Sequence, residues 1–83
     1  MGWQVERRER TLRVDLDVAP ITEPTERELV SDLAARIERE VGLDTLHLDG
    51  PGVRDPREGL VRLLRAAGQV ARDHGLRYKV TRM

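Results

Sequence analysis

Asp55-Pro56-Arg57-Glu58-Gly59-Leu60 opens the best-specified helix in this chain. Asp55 suits the cap, Pro56 the first helical position and Glu58 the third, a capping box with a proline inside it. Upstream lies Leu46-His47-Leu48, a short apolar strand, and downstream lies the alternating run from Leu76 to Val80. Strand, turn, helix and strand make a β-α-β unit. The turn at the head of such a unit is where binding usually occurs.

Working outward, the helix is expected to run from Pro56 to about His74. Its core stripe is Leu60, Leu63, Leu64, Ala67, Val70 and Ala71, flanked by Val61, Ala66 and Gly68, an apolar arc of roughly 200°. Gly75-Leu76 reads as its stop signal. A first helix is expected from a Thr25/Glu28 capping box to about Val41, with Thr22 as a competing cap and Ile21 to Pro24 as the connection before it. Leu29, Val30, Leu33, Ala34, Ile37 and Val41 lie within an arc of roughly 140°, and Gly42-Leu43 is read as a Schellman stop. Leu12, Val14, Leu16 and Val18 alternate with Arg13, Asp15 and Asp17, a strand with one buried face. Trp3 and Val5 suggest an edge strand leading into a charged turn.

The order is (β)βαβαβ. A fully parallel sheet covered on both faces reads as continuous apolar runs, whereas these strands alternate. Both helices should therefore cover one face of a mixed sheet of about four strands, in a two-layer α/β sandwich. The open face should carry Arg13, Asp15, Asp17, Thr45, His47, Arg77, Lys79 and Thr81. Residues 1–83 read as one domain.

Composition narrows the function. Lys plus Arg and Asp plus Glu both number 15, so the formal net charge is zero, which argues against a dedicated nucleic-acid binder. The only aromatics are Trp3 and Tyr78, too few to stack a single strand. Without cysteine there is no disulfide, thiolate metal site or cysteine nucleophile. No apolar run approaches the roughly 20 residues of a membrane span, no secretory signal is visible, and Glu6 defeats a myristoylation motif at Met1-Gly2. The expected setting is cytoplasmic.

Three segments together resemble the STAS domain of anti-sigma-factor antagonists and sulfate-transporter cytoplasmic regions: Leu46 to Val53, Asp55 through Gly59-Leu60, and Arg72 to Leu76. In that family a strand ends in aspartate, Gly-Val follows, and an Asp-Ser-Ser-Gly-Leu-like sequence opens a helix that stops at an Arg-x-x-Gly-like signal. The resemblance implies a protein partner, a regulatory kinase or anti-sigma factor, docking around the helix head. The phosphorylated Ser or Thr of the family stands just before Gly-Leu, where this chain has Glu58. The turn is also about one residue shorter than the family's usual spacing. Ser31, the only serine, lies on the polar face of the first helix. Glu58 is thus either a permanent mimic of the phosphorylated state or simply the capping-box residue.

Little else points to chemistry. His47 and His74 are the only histidines and neither has a ligand partner at metal-site spacing; His74 suits a helix C-terminus. Asp15 and Asp17 share a strand face but should be solvated, without the shifted pKa that acid–base catalysis needs. Gly50-Pro51-Gly52 lacks a Walker lysine, and Asp55 and Glu58 would repel an anion at the helix head. No catalytic residue, metal or cofactor is expected.

The outward stripe Glu58, Arg62, Arg65, Gln69 and Arg72 is more suggestive. A Glu58–Arg62 pair would leave Arg65 and Arg72 as a positive patch for an acidic partner. The expected function is a small non-enzymatic protein–protein interaction module of the anti-sigma-factor-antagonist type, binding at Gly52, Asp55, Glu58, Gly59, Arg62 and Arg65. The alternative is a structural homo-oligomeric assembly subunit, a homodimer for instance, joined through the sheet face or an edge strand.

Overall fold

The computed structural model describes residues 3–16, 23–50 and 58–81; for residues 58–60 it describes the backbone alone. The expected turn residues Gly52 and Asp55, and with them Asp17, Val18 and Pro56, lie outside the described residues.

The elements are β1 (Trp3–Arg8), β2 (Thr11–Leu16), α1 (Glu23–Arg39), β3 (Thr45–Asp49), α2 (Glu58–Asp73) and β4 (Arg77–Thr81). The sheet order is β1-β2-β3-β4. β1 pairs antiparallel with β2, and β2–β3 and β3–β4 are parallel. This is the mixed sheet and two-layer α/β sandwich expected from the alternation.

Period-2 patterning sorts the side chains. Leu12, Val14 and Leu16 of β2 and Leu46 and Leu48 of β3 are fully buried, in one cluster with Leu29, Leu33 and Ile37 of α1 and Leu63, Ala67, Val70 and Ala71 of α2. Burying such a side chain contributes about 1.5–3 kcal/mol. The opposite face carries Arg13, Asp15, Thr45, His47 and, from β4, Arg77, Lys79 and Thr81, aligned by the parallel register.

The hairpin closes at Arg8↔Thr11 over the two-residue turn Glu9-Arg10. Such turns need a positive φ, usually met by glycine. Here Glu9 adopts φ 54°, and the Arg7 Nε–H donates to its carbonyl at 2.8 Å.

The helix ends depart from the sequence expectations in three places. α1 begins at Glu23, the start implied by the competing Thr22 cap and not by the Thr25/Glu28 box, so Pro24 and Thr25 lie inside its first turn rather than before it. Proline is tolerated there because the first N–H groups have no intrahelical acceptor, and Glu23 and Glu26 suit the positive end of the dipole. α1 stops at Arg39, leaving Val41 87% exposed instead of in the core stripe. The two bonds of a Schellman closure form only after α2: Leu76 N–H to Ala71 C=O at 2.8 Å and Gly75 N–H to Arg72 C=O at 3.1 Å. Gly75 takes φ 70° there. Gly42 also has a positive φ, but the last bond at that end is Glu40 N–H to Arg36 C=O.

β4 is the other departure. Tyr78 and Val80 do share the face of Leu46 and Leu48. They nevertheless remain 37% and 38% exposed, because β4 ends the sheet and has a neighbour on one side only.

Candidate functional site

α2 turns Leu63, Ala67, Val70 and Ala71 inward, so its periodicity places Val61, Arg62, Arg65, Gln69 and Arg72 in solvent. Of the six residues expected to bind a partner, Arg62 and Arg65 have described side chains, and the two differ. Arg62 donates from Nε to Glu26 Oε2 at 3.0 Å, tying α2 to α1. Its charge is engaged within the chain. Arg65 is exposed and, with Arg72, makes no ion pair among the described residues. Glu58 and Gly59 are the first two residues of α2.

Arg65 and Arg72 rim a groove of about 480 Å³ between α2 and β4, lined also by Val61, Leu64, Gly68, Gln69 and Tyr78. Val61 is 44% exposed. Gly68 forms the floor: a Cβ added there would lie 3.1 Å from Tyr78 Cε2. A mid-helix glycine costs about 0.5–1 kcal/mol relative to alanine, and here it leaves room for the Tyr78 ring. The ring is held at its far end too, the Tyr78 hydroxyl donating to the Leu64 carbonyl at 2.7 Å. Loss of solvent around that hydroxyl pushes its pKa up to about 12.

The polar sheet face has a centre of its own. Asp15 and Asp49 are directly opposed across β2 and β3. Like charges in that arrangement repel. Arg13 lies between them, donating from Nε to Asp15 Oδ1 at 3.0 Å and from Nη2 to Asp49 Oδ2. The hydrogen bond to Asp15 and the two carboxylates raise the Arg13 pKa above its ordinary value. Asp15 is therefore half-buried and ion-paired rather than simply solvated, and Asp49, 1% exposed, is the one buried charged residue among those described. His47 meets Thr81 Oγ1 at 2.8 Å. Its pKa is lowered, first by loss of solvent and then by the nearby charges of Lys79 and Arg13.

The sequence reading passed over Asp49 as a strand terminus. Its signal was present in the parity it shares with Thr45 and His47, but the partner depended on a register that periodicity does not supply. His74, just beyond α2, sits against the Val70 carbonyl at 2.9 Å through Nδ1, as suits a helix C-terminus. No group of His, Asp and Glu able to hold a metal ion occurs among the described residues, and no described helix is long and apolar enough to cross a membrane.

Compared with models of known protein families the chain matches none, and a comparison with curated proteins likewise finds no match.

Proposed function

We propose that this chain is a small non-enzymatic protein–protein interaction module of the anti-sigma-factor-antagonist type. Its partner docks along the outward face of α2, from the head at Glu58 and Gly59 toward Arg72. One observation carries this reading: exposed Val61, Arg65 and Arg72 stand beside the half-exposed Tyr78, the arginines without internal ion pairs among the described residues. An apolar strip rimmed by arginine is the pattern of an interface anchor, since arginine pairs bidentately with carboxylates and aromatic side chains supply buried area. The resemblance to anti-sigma-factor antagonists favours a regulatory kinase as the partner, and Glu58 in place of a phosphorylatable residue implies binding not switched by phosphorylation at that position.

Calorimetric titration against an anti-sigma-type kinase tests this. Arg65→Glu should weaken binding tenfold or more, and Arg39→Glu, on α1, should leave it unchanged. Equal affinity of the Arg65→Glu variant and the parent chain would remove α2 as the docking face.

A further inference from the structure

Resting on the interaction-module reading above, we propose that the open border of β4 takes up an extended acidic segment of the partner as a fifth strand, its carboxylates alternating with aliphatic side chains. The backbone indicates that a strand fits. Arg77 donates its N–H to the Asp44 carbonyl at 2.8 Å, and the Thr81 carbonyl accepts from Gly50 N–H at 3.1 Å. The odd-numbered residues of β4 thus spend their backbone groups on β3. Along a ladder the residues between them point the opposite way, which turns the N–H and C=O groups of Tyr78 and Val80 toward the border. β4 is terminal in the sheet order, and no hydrogen bond among the described residues engages those groups. Such a row is a template for strand addition.

The side chains specify which strand. On the polar face β4 presents Arg77 and Lys79, both exposed and neither ion-paired among the described residues. On the helix face it presents Tyr78 and Val80, continuous through Tyr78 with the Val61–Leu64 groove and its rim of Arg65 and Arg72. Directly opposed unlike charges stabilise a strand pair and like charges destabilise it. The incoming strand therefore carries carboxylates on one face and aliphatic groups on the other. Two registers count against a second copy of this chain. Antiparallel pairing of β4 with itself about residue 78 sets Arg77 against Lys79, and about residue 79 sets Lys79 against Lys79. β1 does not fit, because its polar face mixes Glu6 with Arg8.

The test uses the full chain and a capped peptide alternating glutamate with valine, followed by amide NMR. Shifts should centre on residues 77–81, with slowed exchange at the Tyr78 and Val80 amides. A lysine–valine peptide should bind at least tenfold more weakly. Arg77→Glu combined with Lys79→Glu should reverse that order. Val80→Pro removes one outward N–H and no bond to β3, so it should abolish peptide binding while circular dichroism stays unchanged. If Val80→Pro unfolds the chain, a peptide N-methylated at alternate residues provides the same test on the parent protein. Equal affinity for the two peptides, shifts confined to α2, or a concentration-dependent dimer blocked by Val80→Pro would each overturn the proposal. A kinase complex that survives Val80→Pro but not Arg65→Glu would overturn the added strand and leave the α2 reading standing.

Discussion

The two borders of this sheet are finished differently. β1 carries charges of both signs on its polar face, Glu6 and Arg8 paired with each other at 2.6 Å. It also places Arg7 on the helix-facing side, where the guanidinium reaches Glu40 at 3.7 Å. Mixed and inward-pointing charges blunt an edge against strand pairing. β4 has no such device: its polar face is cationic only, and its other face leaves Tyr78 and Val80 more than a third exposed. One edge is blunted by its charges and the other lacks that protection among the described residues. In so small a domain the lesson is that edge protection is selective, and the unprotected edge marks where to look for a partner.

The sharpest way to break this comparison is from inside. Leu48 is fully buried and lies beside Val80 in the β3–β4 register. Leu48→Ala should cost about 2–5 kcal/mol in denaturant melts. Hydrogen exchange should accelerate more at residues 77–81 than at 3–8; equal acceleration would mean that the two borders are not independently anchored.

Tyr78→Phe removes the bond to the Leu64 carbonyl and should cost about 0.5–1.5 kcal/mol. Its pH dependence is a second reading of the same side chain. The folded pKa, about 12, lies above the ordinary 10.0, so the neutral phenol is the form the fold favours. That contribution is complete below pH 10 and is lost as pH rises toward 12. Melts over this range should slope downward for the parent chain and less so for Tyr78→Phe.

At the other border, Glu9→Gly should stabilise the hairpin by up to about 1 kcal/mol, since a positive φ is costly for any residue with a Cβ. A loss of stability would show that the extra freedom glycine gives the unfolded chain outweighs the relief of backbone strain. The smallest effect belongs to His47, whose folded pKa is below its ordinary 6.5. Its neutral form is favoured, so the contribution is present above pH 6.5 and fades as pH falls through the folded value. His47→Gln should flatten that acid-side slope in a melting series and change little at pH 8.

Much of the architecture was legible from alternation and helical periodicity. Leu12, Val14 and Leu16 against Arg13 and Asp15 reveal which face is buried, and the Gly75-Leu76 stop is closed by the two bonds expected of it. What periodicity could not reveal was lateral order. Nothing in Tyr78-Lys79-Val80 distinguishes an edge strand from a central one, so both apolar residues read as interior. The start of α1 was open between a Thr22 and a Thr25 cap, and the helix begins at Glu23 as the first implies, since a proline fits within a first turn. At the candidate site, Arg65 and Arg72 were found by helical spacing alone. Spacing along α2 could not reveal that Arg62 also reaches Glu26, which lies on another helix. Gly68 read only as a flank of the α2 core stripe, because spacing does not supply the Tyr78 ring that rests against it.

Trp3 and Tyr78 are the only aromatic residues, and they fall on opposite terminal strands, β1 and β4. Nature has in effect labelled each margin with a different fluorophore. Tyrosine emission can follow events at one margin while tryptophan emission serves as the internal reference at the other, and energy transfer between them gauges the width of the sheet without any attached dye.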